Sequence, residues 1–260
     1  MMSAILDVRD LEKTFGSVVA ARDISVSVPP QQTVGIIGSN GAGKTTFVNM
    51  ITGHLRPSKG SIRFEGRDIT GLPSRQITRL GISRSFQVAQ VFASQTVFQN
   101  MCAAAAVARG SDSMLSRMLT PLDSPDIRRE ADEAIELFQI ARYRNIPAST
   151  LPQGIRKLLD IAMAVAGSPR VLLLDEPTSG ISVEEKFGLM DVVMSALKSR
   201  RITVLFVEHD MEIVGRFADR VLAFYDGTVI ADQTPREVLA NPKVQMFISG
   251  TKPGEGAHHA

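Results

Sequence analysis

Apolar and polar positions alternate over residues 4–37, with Leu6 and Val8, Val18 and Val19, and Ile24, Val26 and Val28 as the apolar members. A period of two predicts strands that turn one face to a core. Pro29 and Pro30 interrupt the run and predict a turn. The next stretch, Thr33-Val34-Gly35-Ile36-Ile37, reads as a buried strand, and Thr46-Phe47-Val48-Asn49-Met50-Ile51 as a helix. Ser61 to Gly66 is β-like again.

From about residue 88 to 167 the period lengthens. Ser124-Pro125 has the form of an N-cap followed by proline at the first helical position. Ile127, Ala131, Ala134, Ile135 and Phe138 then fall on one helical face. Residues 109–125 read as a loop around a short helix at Met114–Leu119. After residue 170 the β–α alternation returns, with apolar strands at Val171–Leu174 and Ile202–Val207. The order predicts an α/β fold with a mainly parallel sheet, interrupted by a helical insertion. Residues 250–260, rich in glycine and polar side chains, read as a disordered tail, and His258-His259 within it as tail rather than metal site.

Composition narrows the function. The net charge is +2 and acids nearly balance bases, which lacks the basic footprint of a nucleic-acid binder. Tryptophan is absent and aromatics make up 5%, so aliphatic side chains and methionine must fill the core. The single cysteine, Cys102, excludes an internal disulfide and reads as a buried helical residue. Met1-Met2-Ser3-Ala4-Ile5 has neither a basic start nor a long apolar run, and no segment has the length and apolarity of a membrane span. The expectation is a soluble chain whose membrane role, if any, comes through a partner.

The chemistry concentrates in Gly38-Ser39-Asn40-Gly41-Ala42-Gly43-Lys44-Thr45, followed by Thr46. Every fixed position of the phosphate-loop pattern is met, between a predicted strand and a predicted helix. Glycines let successive backbone N–H groups converge on one anion at a helix N-terminus. Lys44 can reach the β- and γ-phosphates of a nucleoside triphosphate, and the Thr45 hydroxyl can bind the bridging Mg2+. A second apolar strand ends in Asp175-Glu176. Asp175 suits Mg2+ and Glu176 suits polarising an attacking water. His209 follows the next strand, where open α/β sheets bind ligands, and can contact the γ-phosphate. Gln87, at the start of the helical insertion, can ligate Mg2+ and the attacking water without adding charge. Phe15 is suited equally to stacking on adenine and to a core.

In this order the residues resemble the ATP-binding subunits of ABC transporters, over residues 4–249. The match runs from an aromatic loop (Phe15) through Walker A (38–45), the glutamine loop (Gln87), a signature region (151–155) and Walker B (171–176) to a switch histidine (His209). The resemblance implies one ABC ATPase domain. It would comprise a RecA-like P-loop core, an antiparallel β subdomain and a helical subdomain at about 88–167. It also implies a head-to-tail dimer, homo- or hetero-, in which ATP lies between one subunit's Walker A and the other's signature. Leu151 and Gly154 are the signature positions that match. The ending, 232–249, is similar to the C-terminal extension of branched-chain amino acid importer ATPases. By that likeness the partners are transmembrane permease subunits, a second ATP-binding subunit and, indirectly, a periplasmic or extracellular solute-binding protein. The place implied is the cytoplasmic face of the membrane, with Phe86, Val88, Val91 and Phe92 near the permease contact. ATPases of lipopolysaccharide export and of urea or amide uptake share these motifs. Soluble ABC ATPases of DNA repair or translation do too, but they carry insertions or tandem cassettes that this chain lacks.

Two positions depart from the family pattern. The signature Leu-Ser-Gly-Gly-Gln is Leu151-Pro152-Gln153-Gly154-Ile155 here. Pro152 offers neither hydroxyl nor N–H, although proline suits a first helical turn and the helix is expected to persist. Ser182 stands where the family often has aspartate, and with Glu185 it fits a capping box.

Overall fold

The computed structural model of the chain describes residues 4–85, 91–109 and 124–249. The chain divides into two units, residues 1–80 with 203–260, and residues 81–202.

In the first unit, β1 (Leu6–Phe15), β2 (Val18–Val28), β4 (Lys59–Phe64) and β5 (Arg67–Asp68) form an antiparallel sheet in the order β2-β1-β4-β5. The expected alternation produces its buried face. Leu6 pairs with Val28 and Phe64, and Val8 with Val26 and Ile62, all of them buried. The register shifts between Val8 and Leu11, where Asp10 adopts φ +47, and this extra residue returns Leu11 to the core opposite Ile24. Val18 and Val19 lie in β2 as the alternation predicts, and at the hairpin end, opposite Phe15 and Thr14, both are exposed, at 62% and 43%.

The same unit holds β3 (Thr33–Gly38), β8 (Thr203–Val207) and β9 (Arg220–Tyr225), paired in parallel with β3 in the centre. β10 (Thr228–Gln233) pairs antiparallel to β9. Val34, Ile36 and Ile37 are fully buried, as a strand covered on both faces requires. α1 (Lys44–Ile51) follows β3, two residues earlier than the apolar pattern indicated, α2 (Ser74–Leu80) follows β5, and α7 (Met211–Phe217) follows β8. At the end of the chain α8 (Pro235–Ala240) opens on a complete capping box between Thr234 and Glu237. Those hydrogen bonds hold the Glu237 carboxyl below the usual carboxylate range. Asn241 closes α8 and caps α9 (Pro242–Val244), so one residue ends a helix and starts the next.

In the second unit, β6 (Ile82–Ser85) and β7 (Val171–Asp175) run parallel. Around them lie α3 (Val97–Arg109), α4 (Pro125–Leu137), α5 (Gln153–Val165) and α6 (Val183–Ser199). α4 begins as predicted, with Ser124 accepting from Ile127 N–H and Pro125 in the first turn. Its predicted face (Ile127, Ala131, Ala134, Ile135, and Phe138 just beyond) is buried throughout. Cys102 is buried in α3. Arg144 clamps Asp132 at 2.7 Å and lies 3.7 Å over the Phe98 ring. The hydrogen bond to Asp132 raises its pKa further above the ordinary arginine value.

The capping box expected at the start of α6 does not form. Ser182 is the N-cap residue, but its hydroxyl donates to the Glu185 carboxylate at 3.3 Å instead of accepting a backbone N–H. Phe86, Val88 and the Met114–Leu119 helix lie outside the described residues, as does the tail.

Candidate functional site

In the first unit, the loop from β3 to α1 is built around glycines that no other residue could replace without strain. Gly38 has φ +154, and a Cβ there would sit 2.5 Å from the Phe224 carbonyl oxygen. Gly43 has φ +97, and a Cβ there would sit 2.8 Å from the Ala20 carbonyl oxygen. Phe47 N–H makes a helical bond to Gly43 O at 2.9 Å. No side chain caps the N-terminus of α1, and an uncapped N-terminus carries partial positive charge. Ser39, Asn40, Gly41 and Thr45 are exposed on this loop, while Ala42 is buried and Thr46 half-buried.

Lys44 is 6% exposed. Its Nζ donates to Gly38 O at 2.6 Å and to Ser39 O at 2.9 Å. The loop therefore holds its own cation in its centre. An arriving phosphate meets a preformed donor set instead of one that must be ordered, which lowers the entropic cost of binding.

β3 and β8 are parallel neighbours, with Ile36 opposite Val207, so the phosphate loop and His209 leave the sheet at the same carboxyl edge. His209 is exposed. Its backbone N–H donates to the buried Glu208 carboxylate at 3.2 Å. Asp210 then caps α7, accepting from Glu212 N–H and Ile213 N–H. Phe15 ends β1 half-exposed, with Lys13 Nζ 5.0 Å above its ring, so a core role is excluded and an aromatic face remains for stacking.

In the second unit, Asp175 is the last residue of β7 and Glu176 follows with φ +45. A left-handed conformation in a non-glycine residue costs on the order of 1–3 kcal/mol and concentrates at functional sites. Arg84, on β6, donates from Nη2 to Asp175 Oδ2 at 2.5 Å, with the two side chains 9% and 18% exposed. Nothing in the sequence pattern pointed to Arg84. The pair spans 91 positions and exists only through the register of two strands. Leu151 is buried. Pro152 is the N-cap of α5 rather than its first helical residue, and no side chain caps that helix. Gly154 lies half-buried in its first turn. Gln87 lies outside the described residues.

The donors suit the expected ligands. The glycine cradle and Lys44 fit a polyphosphate; the hydroxyl oxygen of Thr45 in the first unit and, separately, the carboxylate of Asp175 in the second are hard donors that suit Mg2+ better than a nitrogen- or sulfur-seeking metal. Among the described residues, no group of three or more His, Cys, Asp or Glu could hold a metal without such help. No described helix is long and apolar enough to cross a membrane.

Residues 21–179 match the model of the ABC transporter family. The chain belongs to that family. It is an ATP-binding, ATP-hydrolysing subunit with the RecA-like P-loop fold. The high-affinity branched-chain amino acid transport ATP-binding protein BraF of Pseudomonas aeruginosa is 34% identical to this ABC ATPase, over 94% of this chain and 97% of the relative. The lipopolysaccharide export system ATP-binding protein LptB of Acidithiobacillus ferridurans is 32% identical, over 96% and 98%. An ATP-binding cassette of an ABC transporter, solved in its ADP conformation, superposes with a TM-score of 0.82 at 29% identity, covering 95% of this chain and 99% of that one.

Proposed function

We propose that this ABC ATPase powers a branched-chain amino acid importer, hydrolysing Mg-ATP as a peripheral subunit on the cytoplasmic face of the membrane. The observation that carries the hydrolytic part is the phosphate loop with Lys44 already drawn onto Gly38 O and Ser39 O. The cargo rests on the near full-length likeness to BraF. The likeness to LptB supports a second reading, lipopolysaccharide export, at slightly lower identity.

In this reading residues 4–249 form a single ABC ATPase domain, with a helical subdomain at about 88–167 and an extension at about 232–249. The N–H groups of Gly41 to Thr46 and the Lys44 ammonium bind the phosphates, and Phe15 stacks on the base. Thr45, Asp175 and Gln87 hold Mg2+, which when bound offsets phosphate charge. Glu176 accepts the proton of the attacking water, and His209 and Gln87 orient that water and the γ-phosphate. Leu151 and Gly154 present the start of α5 to ATP held by a second ATP-binding subunit. Transmembrane permease subunits, fed by a solute-binding protein, complete the machine.

Pro152 makes that contribution unequal. The dipole of α5 is worth about 0.3–1 kcal/mol toward an anion. The hydroxyl hydrogen bond that proline cannot make is worth about 1.5–3 kcal/mol. ATP held by this chain uses the partner's signature, while ATP held by the partner faces Pro152 and Ile155, so a heterodimer has one strong and one weak site.

The test is twofold. Glu176→Gln should trap ATP and lower turnover at least about 100-fold, and unchanged turnover removes Glu176 from the role of base. Deletion of the chain in its host should abolish uptake of labelled leucine, isoleucine and valine. Intact uptake with impaired lipopolysaccharide export would establish the second reading.

A further inference from the structure

Asp175 is assigned to the metal above, but its part-buried pairing with Arg84 is used by none of those steps. Arg84 stands opposite Leu173 in the parallel β6–β7 register. Asp175 lies two residues beyond Leu173 and so on the same face of the strand. A long side chain at 84 therefore reaches forward along the sheet to the carboxylate at 175. The contact is the observed 2.5 Å bond between Nη2 and Oδ2. A guanidinium stays charged at every accessible pH, and placing one nine-tenths out of water is costly unless a carboxylate answers it. Arg84 is thus a permanent counter-cation built against one carboxylate oxygen.

The geometry points to Arg84 as a positioning residue that makes cation entry at Asp175 conditional on nucleotide. The inference rests on the reading of Asp175 as the metal-side carboxylate. In the nucleotide-free chain a divalent cation meets a pair whose charges nearly cancel, not a bare carboxylate, and gains little there. Polyphosphate supplies the negative charge that Arg84 has neutralised, so cation and nucleotide enter together. Arg84 also holds Oδ2 in place, which leaves the other carboxylate oxygen oriented for the cation or its water shell.

Mn2+ binding to the purified full-length chain, followed by electron paramagnetic resonance with and without ADP, tests this. Wild type should bind Mn2+ at this site only with ADP present. Arg84→Met keeps the length and apolar stem but removes the charge, and should tighten nucleotide-free Mn2+ binding by at least about tenfold. Arg84→Lys, which keeps the charge, should restore the nucleotide requirement. Arg84→Met binding no tighter than wild type without ADP overturns the proposal. So does Asp175-dependent Mn2+ binding by nucleotide-free wild type, a measurement that needs no Arg84 variant to fold. The underlying reading fails separately, if Asp175→Asn leaves Mn2+ binding in the presence of ADP unchanged.

Discussion

Among the described helices of this ABC ATPase that begin without a side-chain cap are α1 at Gly43 and α5 at Pro152. Both offer a helix dipole to an anion, and there the likeness ends. α1 surrounds its N-terminus with glycines at positive φ, a buried lysine bonded to the loop carbonyls and a threonine hydroxyl. α5 opens on a ring with no donor and continues with Gln153 and Ile155. A dipole supplies a fraction of the attraction, and donor atoms aimed at the anion supply the rest. The uncapped start is therefore a phosphate site only where the surrounding side chains finish it.

The largest effect that can break this comparison comes from Lys44→Ala. It should lower ATP turnover by roughly 100- to 1,000-fold, as loss of a donor to developing charge does elsewhere. Activity within a fewfold of wild type would reduce α1 to the level of α5. Gly43→Ala should come next, because a methyl group 2.8 Å from Ala20 O at φ +97 forces the loop to shift. Nucleotide affinity measured with a fluorescent ATP analogue should drop about tenfold or more, and Tm by several degrees. Pro152→Ser with Ile155→Gln works in the opposite direction, giving α5 what α1 has. ATP-driven dimerisation and ATPase activity with the partner should rise about ten- to hundredfold, and no rise would show that the weak start costs nothing.

The smallest effect belongs to the capped helix α8, which serves as the control. Its Glu237 carboxyl is held low by Thr234, so its contribution is present above the ordinary glutamate range and fades as pH falls through it. Tm measured against pH should therefore separate wild type from Glu237→Gln at pH 7, and the two should converge once pH has fallen below the lowered Glu237 value. A gap that persists in acid would place the difference outside the titration.

Local chemistry was legible in the sequence, and pairing across distance was not. Ser124-Pro125 announced a helix start because an N-cap acts on N–H groups two or three residues away. The phosphate loop was equally legible because its donors are consecutive. The Ser182 reading failed because two side chains three apart can bond to each other in place of the backbone. Val18 and Val19 were legible as strand residues, but apolar type alone did not tell that both are exposed. Arg84 was invisible because its partner is chosen by strand register, which no run of residues encodes.

The conformation of Glu176 has a consequence for anyone evolving this chain. At φ +45 a glycine would sit without strain, offset only in part by its greater freedom in the unfolded chain. Selection for heat tolerance therefore pulls position 176 toward glycine, while selection for turnover, in the role proposed for Glu176, needs the carboxylate. Variants enriched purely for thermal survival will accumulate inert proteins at this position, and a screen that reads folding alone will score them as improvements.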